Sequence, residues 1–158
     1  MPKIRPATPK DAPGIAAIRA PLVAETTATF TTVEKTAQTL AEEVNAKSWR
    51  VMADGPAVLG FANFHEFRPG PGYRYTAEVS LMLAPQARGA GLAAQLLDAI
   101  EAAAKSAGIR TLVAGISGEN TRALRFFATH GYVKAGQLPA VGHKFGRDLD
   151  LILAQKSL

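Results

Sequence analysis

The sequence predicts a mixed α/β (α+β) fold in which a twisted central sheet is flanked by helices. Residues 76–83 alternate apolar and polar side chains as a strand does, a helically periodic run follows from residue 92, and residues 111–116 form a continuous apolar stretch typical of a buried strand. Because a strand, helix, strand order joins parallel strands, at least one parallel pair is expected. The 158 residues, 47% of them hydrophobic, fit one domain spanning residues 1–158.

The N-terminal third predicts one strand, two helices and a loop. KIRPA at 3–7 favours a strand, and Thr8 then offers a helix N-cap, with proline at N1 and Asp11 at N3. The threonine-rich segment 25–36 lacks periodicity and predicts a loop. Apolar residues mark the buried faces of the two helices: Ile15, Ile18 and Leu22 in the first, Leu40 and Val44 in the second.

The middle of the chain predicts three strands. Residues 49–53 and 57–67 flank Asp54-Gly55-Pro56, which suits a tight hairpin turn. Prolines and glycines make residues 67–75 irregular, and a strand follows at 76–83. Its two faces are Ala77, Val79, Leu81 and Leu83 on one side, and Thr76, Glu78, Ser80 and Met82 on the other.

The C-terminal half predicts two helices and three strands. A helix begins after the glycine loop and ends at Gly108, with Leu92, Leu96, Ala99, Ile100 and Ala103 at helical spacing. Residues 111–116 form a strand buried on both faces, and a short helix within 118–132 is closed by Gly131. Residues 132–138 and 143–155 are predicted as a final strand pair.

Composition limits the classes of function. The 18 Lys and Arg residues give a formal charge of +5 but are spread along the chain, and no stacking aromatics accompany them, so we expect no nucleic-acid partner. There is no cysteine, and the three histidines lie far apart, so we expect no metal. The longest apolar run, at 57–64, is too short for a membrane span, so we expect a cytoplasmic protein without a membrane partner.

The segment PQARGAGLAAQLL at 85–97, between a predicted strand and a predicted helix, has the pattern of an anion-binding site. Glycines let an anion approach the backbone, and a helix N-terminus supplies unpaired N–H groups and a positive dipole end, so the loop predicts a phosphate site. A P-loop would need Lys followed by Ser or Thr after Gly91, where Leu92 and Ala93 stand. A dinucleotide fingerprint formally fits, but residues 84–88 separate the strand from the first glycine, and no acid follows about 20 residues later.

The stretch Gln86-Ala87-Arg88-Gly89-Ala90-Gly91 resembles the acyl-CoA motif Q/R-x-x-G-x-G/A of the GNAT N-acetyltransferases. Further matches resemble the branch that acetylates phosphinothricin and methionine sulfoximine: TTATFTT at 26–32, FRPGPGYRYTAEVSLML at 67–83, Asn120, and VGHKFGRDLD at 141–150. They follow the family's order and spacing across nearly the whole chain. The resemblance implies a single GNAT domain that uses acetyl-CoA as its co-substrate.

The resemblance also implies an acyl-CoA site. The strand around Met82 would pair its backbone with the pantetheine arm, N–H groups from Ala87 to Leu92 would hold the pyrophosphate, and Asn120 would contact the pantetheine region. The implied cofactor-binding residues are Leu81, Met82, Leu83, Gln86, Ala87, Arg88, Gly89, Ala90, Gly91, Leu92 and Asn120.

Glu78 matches the acid of the family's T-x-E stretch, which the resemblance makes the general base. Chemistry supports this role independently, because an ammonium group has no lone pair and must lose a proton before it attacks a thioester. Glu78 is also the only acid between Glu66 and Asp98. We therefore expect direct acetyl transfer to the primary amine of a small amino-acid-like substrate.

Substrate contacts are expected from Phe30, Arg68 and Tyr73. Three positions depart from the branch. Gly70 replaces a second basic residue, and Phe127 stands where a His or Tyr commonly protonates the CoA thiolate. A third, Asp148, stands where a Trp is usual. A thiolate can leave without a strong proton donor, so Phe127 does not exclude turnover.

Two alternatives stay open from the sequence. The enzyme could acetylate another amine, such as a protein N-terminus, a polyamine or an antibiotic. The chain could also be a non-catalytic acyl-CoA-binding module, because the cofactor loop is intact while the donor position holds Phe127. By resemblance, we further expect a homodimer.

Overall fold

The computed structural model describes all 158 residues, and one seven-stranded sheet organises them. The strands are β1 (Lys3–Pro6), β2 (Trp49–Asp54), β3 (Ala57–Glu66), β4 (Thr76–Leu83), β5 (Thr111–Ser117), β6 (Val133–Lys144) and β7 (Arg147–Ser157). The helices are α1 (Ala12–Glu25), α2 (Ala37–Glu43), α3 (Leu92–Ser106) and α4 (Thr121–Thr129). None of the helices combines the length and the apolar character that crossing a membrane requires.

The sheet order is β1-β2-β3-β4-β5-β7-β6, and only β4 and β5 run parallel. This confirms the parallel pair predicted from the strand, helix, strand order. The pairing covers only Thr76–Val79 of β4 against Thr111–Ala114 of β5. β4 continues to Leu83 with β3 as its only strand neighbour, so β4 and β5 part after Val79.

Two apolar cores occupy the two faces of the sheet. Ala77 and Val79 of β4 belong to the core under α3, together with Leu96 and Ile100. Met82 packs on the other core, which joins α1 and α2 to β2 and β3. Because strand side chains alternate, Glu78 lies on the α1 and α2 side of the sheet.

The chain enters α1 through the predicted capping box. The Asp11 carboxylate accepts the Thr8 N–H at 2.8 Å and also pairs with the Arg5 guanidinium, which lowers the pKa of Asp11. A short 3₁₀ turn at Pro9–Asp11 precedes the helix. At the C-terminal end of α1, Val23 is buried, whereas the sequence pattern predicts Leu22 on the buried face. The reason is that β6 also covers the last turn of α1, where the Lys144 ammonium donates to the Leu22 carbonyl.

The C-terminal hairpin differs from the prediction. His143 and Lys144 belong to β6, and the chain turns at Phe145 and Gly146, both with positive φ (53° and 74°). Such a two-residue turn matches the twist of the paired strands. The sequence pattern did not predict a turn at Phe145 and Gly146, because phenylalanine rarely adopts positive φ. Gly108 and Gly131 follow α3 and α4 with positive φ, as predicted for C-terminal caps.

Candidate active site

The parting of β4 and β5 opens a gap in the sheet. Residues 80–83 of β4 have no strand partner on the side that faces β5. The predicted pantetheine-binding residues Leu81, Met82 and Leu83 all lie here and are partly exposed. Unpaired backbone groups need a partner, so this edge can accept an extended ligand as if it were a further strand.

The glycine loop that follows β4 leaves a row of free donors. Gly89 and Gly91 both adopt positive φ (86° and 73°), and Gly91 occupies the N-cap of α3 without a side-chain cap. The six N–H groups from Gly89 to Ala94 donate to no acceptor in the protein. This row can hold a phosphate, helped by the positive end of the α3 dipole.

The free donors begin two residues later than the sequence predicted. The Ala87 N–H donates to the Ala84 carbonyl at 3.0 Å, and the Arg88 N–H donates to the Pro85 carbonyl at 3.3 Å. Both therefore serve a 3₁₀ turn at Pro85–Ala87. Buried Ala87 anchors this turn, whereas Gln86 and Arg88 are exposed and Ala90 lies beside the free donors.

Glu78 lies on β4 two residues before the unpaired edge begins. Its Oε2 is 3.4 Å from Nε2 of His65, its cross-strand neighbour on β3, and its side chain is 35% exposed. On the other side its neighbour is Gly115 of β5, which is exposed although the residues around it are buried. The missing side chain at Gly115 leaves space directly beside the Glu78 carboxylate.

Asn120 caps α4 at the end of the same gap. Its Oδ1 accepts the Ala123 N–H at 3.1 Å, so its amide group remains free to donate. The preceding residue, Glu119, pairs with Arg147 at 2.7 Å and accepts the Thr27 hydroxyl at 2.8 Å. These contacts lower the pKa of Glu119 and tie the threonine-rich loop to the start of α4.

Phe30 sits on that loop and packs on Gly142 of β6, where any Cβ would overlap its ring. The loop is held by Lys144, which is 1% exposed and donates to the carbonyls of Thr26 at 2.6 Å and Thr29 at 2.8 Å. Burial lowers the pKa of this ammonium. Sequence reasoning missed Lys144, because nothing local distinguishes it from a solvent-exposed lysine.

Arg68 and Tyr73 meet on the connection between β3 and β4. The guanidinium carbon of Arg68 lies 5.9 Å from the centre of the Tyr73 ring. Tyr73 also lines a cavity of about 540 Å³ that it shares with His65. Phe30 lies on the threonine-rich loop and packs against β6, away from Arg68 and Tyr73. The structure therefore does not bring the three predicted substrate residues into one contact cluster.

Phe127 is part of the core under α3 and α4, with edge-to-face contacts to Phe126 and Tyr132. Tyr132 cannot replace the missing proton donor easily, because its hydroxyl donates to Glu101 at 2.9 Å and burial raises its pKa. No group of three His, Cys, Asp or Glu side chains could hold a metal ion.

The comparisons with known proteins fit this arrangement of parted strands and glycine loop. A family model described as the acetyltransferase (GNAT) family matches residues 17–132. The chain belongs to the GNAT acetyltransferase family. An L-methionine sulfoximine/L-methionine sulfone acetyltransferase of Pseudomonas aeruginosa is 35% identical over 167 aligned positions, covering 98% of this chain and 94% of the relative.

Solved structures of GNAT proteins superimpose closely on this chain. The YncA protein of Salmonella typhimurium, solved with its cofactor acetyl-CoA, gives a TM-score of 0.94 at 31% identity and covers 100% of this chain and 94% of its own. A phosphinothricin acetyltransferase of Sinorhizobium meliloti, solved with acetyl-CoA, gives a TM-score of 0.90 at 27% identity. The superposition covers 99% of this chain and 88% of that protein's chain. The chain is an acetyl-CoA-dependent N-acetyltransferase, which confirms the predicted family, fold, activity and co-substrate.

Proposed function

We propose that this GNAT enzyme acetylates the primary amine of a small amino-acid-like substrate of the phosphinothricin, methionine sulfone or methionine sulfoximine type. The relatives that carry these names support the substrate class. The observation that carries the proposal is the position of Glu78, a half-covered carboxylate two residues before the unpaired edge of β4. A base there would act at the point where the two substrates meet.

Glu78 removes a proton from the substrate ammonium, directly or through one water, and the neutral amine can then attack. Acetyl-CoA supplies the thioester carbonyl and a thiolate leaving group. A bond forms between the amine nitrogen and the carbonyl carbon as the bond from that carbon to sulfur breaks. The nitrogen then gives its second proton to solvent, which leaves a neutral amide, and the thiolate takes one proton from solvent because Phe127 cannot donate one.

The acyl-CoA site combines the unpaired edge of β4 with the glycine loop. The backbone of Leu81, Met82 and Leu83 pairs with the pantetheine arm, and the free N–H groups from Gly89 to Ala94 hold the pyrophosphate. The free amide of Asn120 donates toward the pantetheine region, and exposed Gln86 and Arg88 flank the phosphates.

The amine site lies on the α1 and α2 side of the sheet, where Phe30, Arg68 and Tyr73 contribute from two loops. A second candidate is a different amine, such as a protein N-terminus, a polyamine or an antibiotic. Gly70 favours it, because Gly70 offers no second cation for an acidic head group and has open space around it.

Turnover by Glu78→Gln tests the proposal. CoA release from acetyl-CoA is measured with methionine sulfone, methionine sulfoximine, phosphinothricin and a panel of other primary amines. We expect turnover on one of the three named substrates and a loss of about 100-fold in the variant, as is usual when a general base is removed. Glu42→Gln, an exposed carboxylate of α2 without an ion-pair partner, is the matched control.

The possible outcomes separate the parts of this proposal. Turnover only with other amines would reject the substrate class and keep the base. Full activity of Glu78→Gln would reject the base. Tight acetyl-CoA binding without turnover on any amine would contradict the proposed reaction altogether.

A further inference from the structure

We propose that His65 is a proton relay that takes the proton from Glu78 and passes it to solvent; this inference rests on the proposed role of Glu78 as the base. The two residues face each other across β3 and β4, and Nε2 of His65 lies 3.4 Å from Oε2 of Glu78. A shift of a few tenths of an ångström brings this pair to ordinary hydrogen-bond distance.

His65 is the only ionisable partner of Glu78. The neighbours of Glu78 on β5 are Val113 and Gly115, and on β4 the residues of its own face are Thr76 and Ser80, none of which titrates. The Glu78 side chain makes no hydrogen bond within the protein and no ion pair other than the one with His65. Within the protein, His65 is therefore the only group to which the Glu78 carboxylate can pass a proton.

His65 leads from Glu78 to an open cavity. Its side chain is 50% exposed and lines the cavity of about 540 Å³, whose ionisable residues are Lys47, Glu66, Tyr73 and Arg74. An imidazole in this setting can accept a proton briefly and release it to the water of the cavity.

The proton balance of the reaction calls for such a path. The substrate nitrogen enters as an ammonium and loses two protons, one before the attack and one after it, while the CoA thiolate takes up one proton, so each turnover releases one net proton. In the relay, the ammonium proton moves to Glu78, then from Oε2 to Nε2 of neutral His65, and the Nδ1 proton leaves to water. Glu78 is thereby deprotonated for the next turnover.

The test compares His65→Gln with the native enzyme. Glutamine keeps a hydrogen-bond donor beside Glu78 but cannot carry a proton, so a merely structural histidine would be replaced with little loss. We expect kcat to fall about tenfold over roughly pH 6 to 9, with KM for the amine and Kd for acetyl-CoA within about twofold. Added imidazole should restore kcat in proportion to its neutral form.

A matched control comes from the hairpin of β6 and β7. There Nδ1 of His143 lies 2.9 Å from Oδ1 of Asp148, again a cross-strand pair of histidine and carboxylate, with both side chains 67% exposed. His143→Gln should leave kcat and the response to imidazole unchanged. Thermal midpoints of both variants verify that they are folded.

Two results would overturn the relay: a kcat of His65→Gln within twofold of the native value at every pH, or a fall in kcat that imidazole does not restore. Glu78→Gln, measured in parallel, separates this from the base assignment. If Glu78→Gln loses its kcat while His65→Gln keeps the native kcat, only the relay proposal fails. If Glu78→Gln stays fully active, the base assignment fails, and the relay fails with it.

Discussion

At the scale of single residues, Lys144 decides how the threonine-rich loop is held. Its buried ammonium donates to backbone carbonyls of Leu22, Thr26 and Thr29, so one side chain on β6 fixes the end of α1 and the loop that carries Phe30. Burying a charge is costly unless hydrogen bonds compensate, and these carbonyls supply the compensation. The contact therefore links the stability of the fold to the shape of the amine site.

Lys144→Met should lower the free energy of unfolding by about 1–3 kcal/mol, because it leaves the part-buried carbonyls of Thr26 and Thr29 without this donor. We expect the KM for the amine to rise while the Kd for acetyl-CoA stays within about twofold, since the glycine loop does not contact Lys144. Urea unfolding and steady-state kinetics measure both. Lys134→Met, an exposed lysine on the same strand, is the control, and equal behaviour of the two variants would contradict the role given to Lys144.

At the scale of elements, α3 has a positive-φ glycine at each end. Gly91 (φ 73°) precedes the helix at the predicted phosphate site, and Gly108 (φ 88°) follows it. Neither has a neighbouring atom within 4 Å of an added Cβ. Both positions therefore share the same backbone strain on substitution, and only Gly91 has the free N–H groups beside it.

Gly91→Ala and Gly108→Ala should each lower stability by about 1–2 kcal/mol, the cost of a left-handed conformation for a residue with a side chain. Only Gly91→Ala should weaken acetyl-CoA binding, by about tenfold, because its methyl group lies where a phosphate approaches the backbone. Calorimetric titration with acetyl-CoA and urea unfolding distinguish the two effects. Equal acetyl-CoA affinity of both variants would contradict the proposal that this loop binds the pyrophosphate.

At the scale of the whole molecule, we propose a homodimer that forms through the β6 edge of the sheet. β6 forms one edge of the sheet, and exposed apolar side chains lie along it: Val133, Leu138 and Val141. Uncovered edges of this kind favour pairing with another chain. Sedimentation equilibrium at micromolar protein should report twice the chain mass of 16.6 kDa, and a single species of 16.6 kDa across a dilution series would contradict the dimer.

The sequence by itself determined the elements apart from the bounds of the C-terminal hairpin, and it also determined the parallel strand pair, the glycine loop and the face of β4 on which Glu78 lies. These features follow from local periodicity, turn chemistry and alternation, which involve residues close in the chain. Gly108 and Gly131 end helices as predicted, because positive φ at a helix C-terminus is a local requirement.

Only the tertiary structure decided where β4 and β5 part, which N–H groups stay free, and which side chains surround Glu78. Lys144 meets the Thr26 carbonyl across 118 residues of sequence, and no local pattern signals such a contact. His65 pairs with Glu78 because the register of β3 against β4 sets them opposite each other, and a shift of one residue would turn His65 to the other face. The physical reason is that register and strand separation depend on the packing of the whole sheet, so the residues of the proposed site are brought together by contacts that periodicity does not encode.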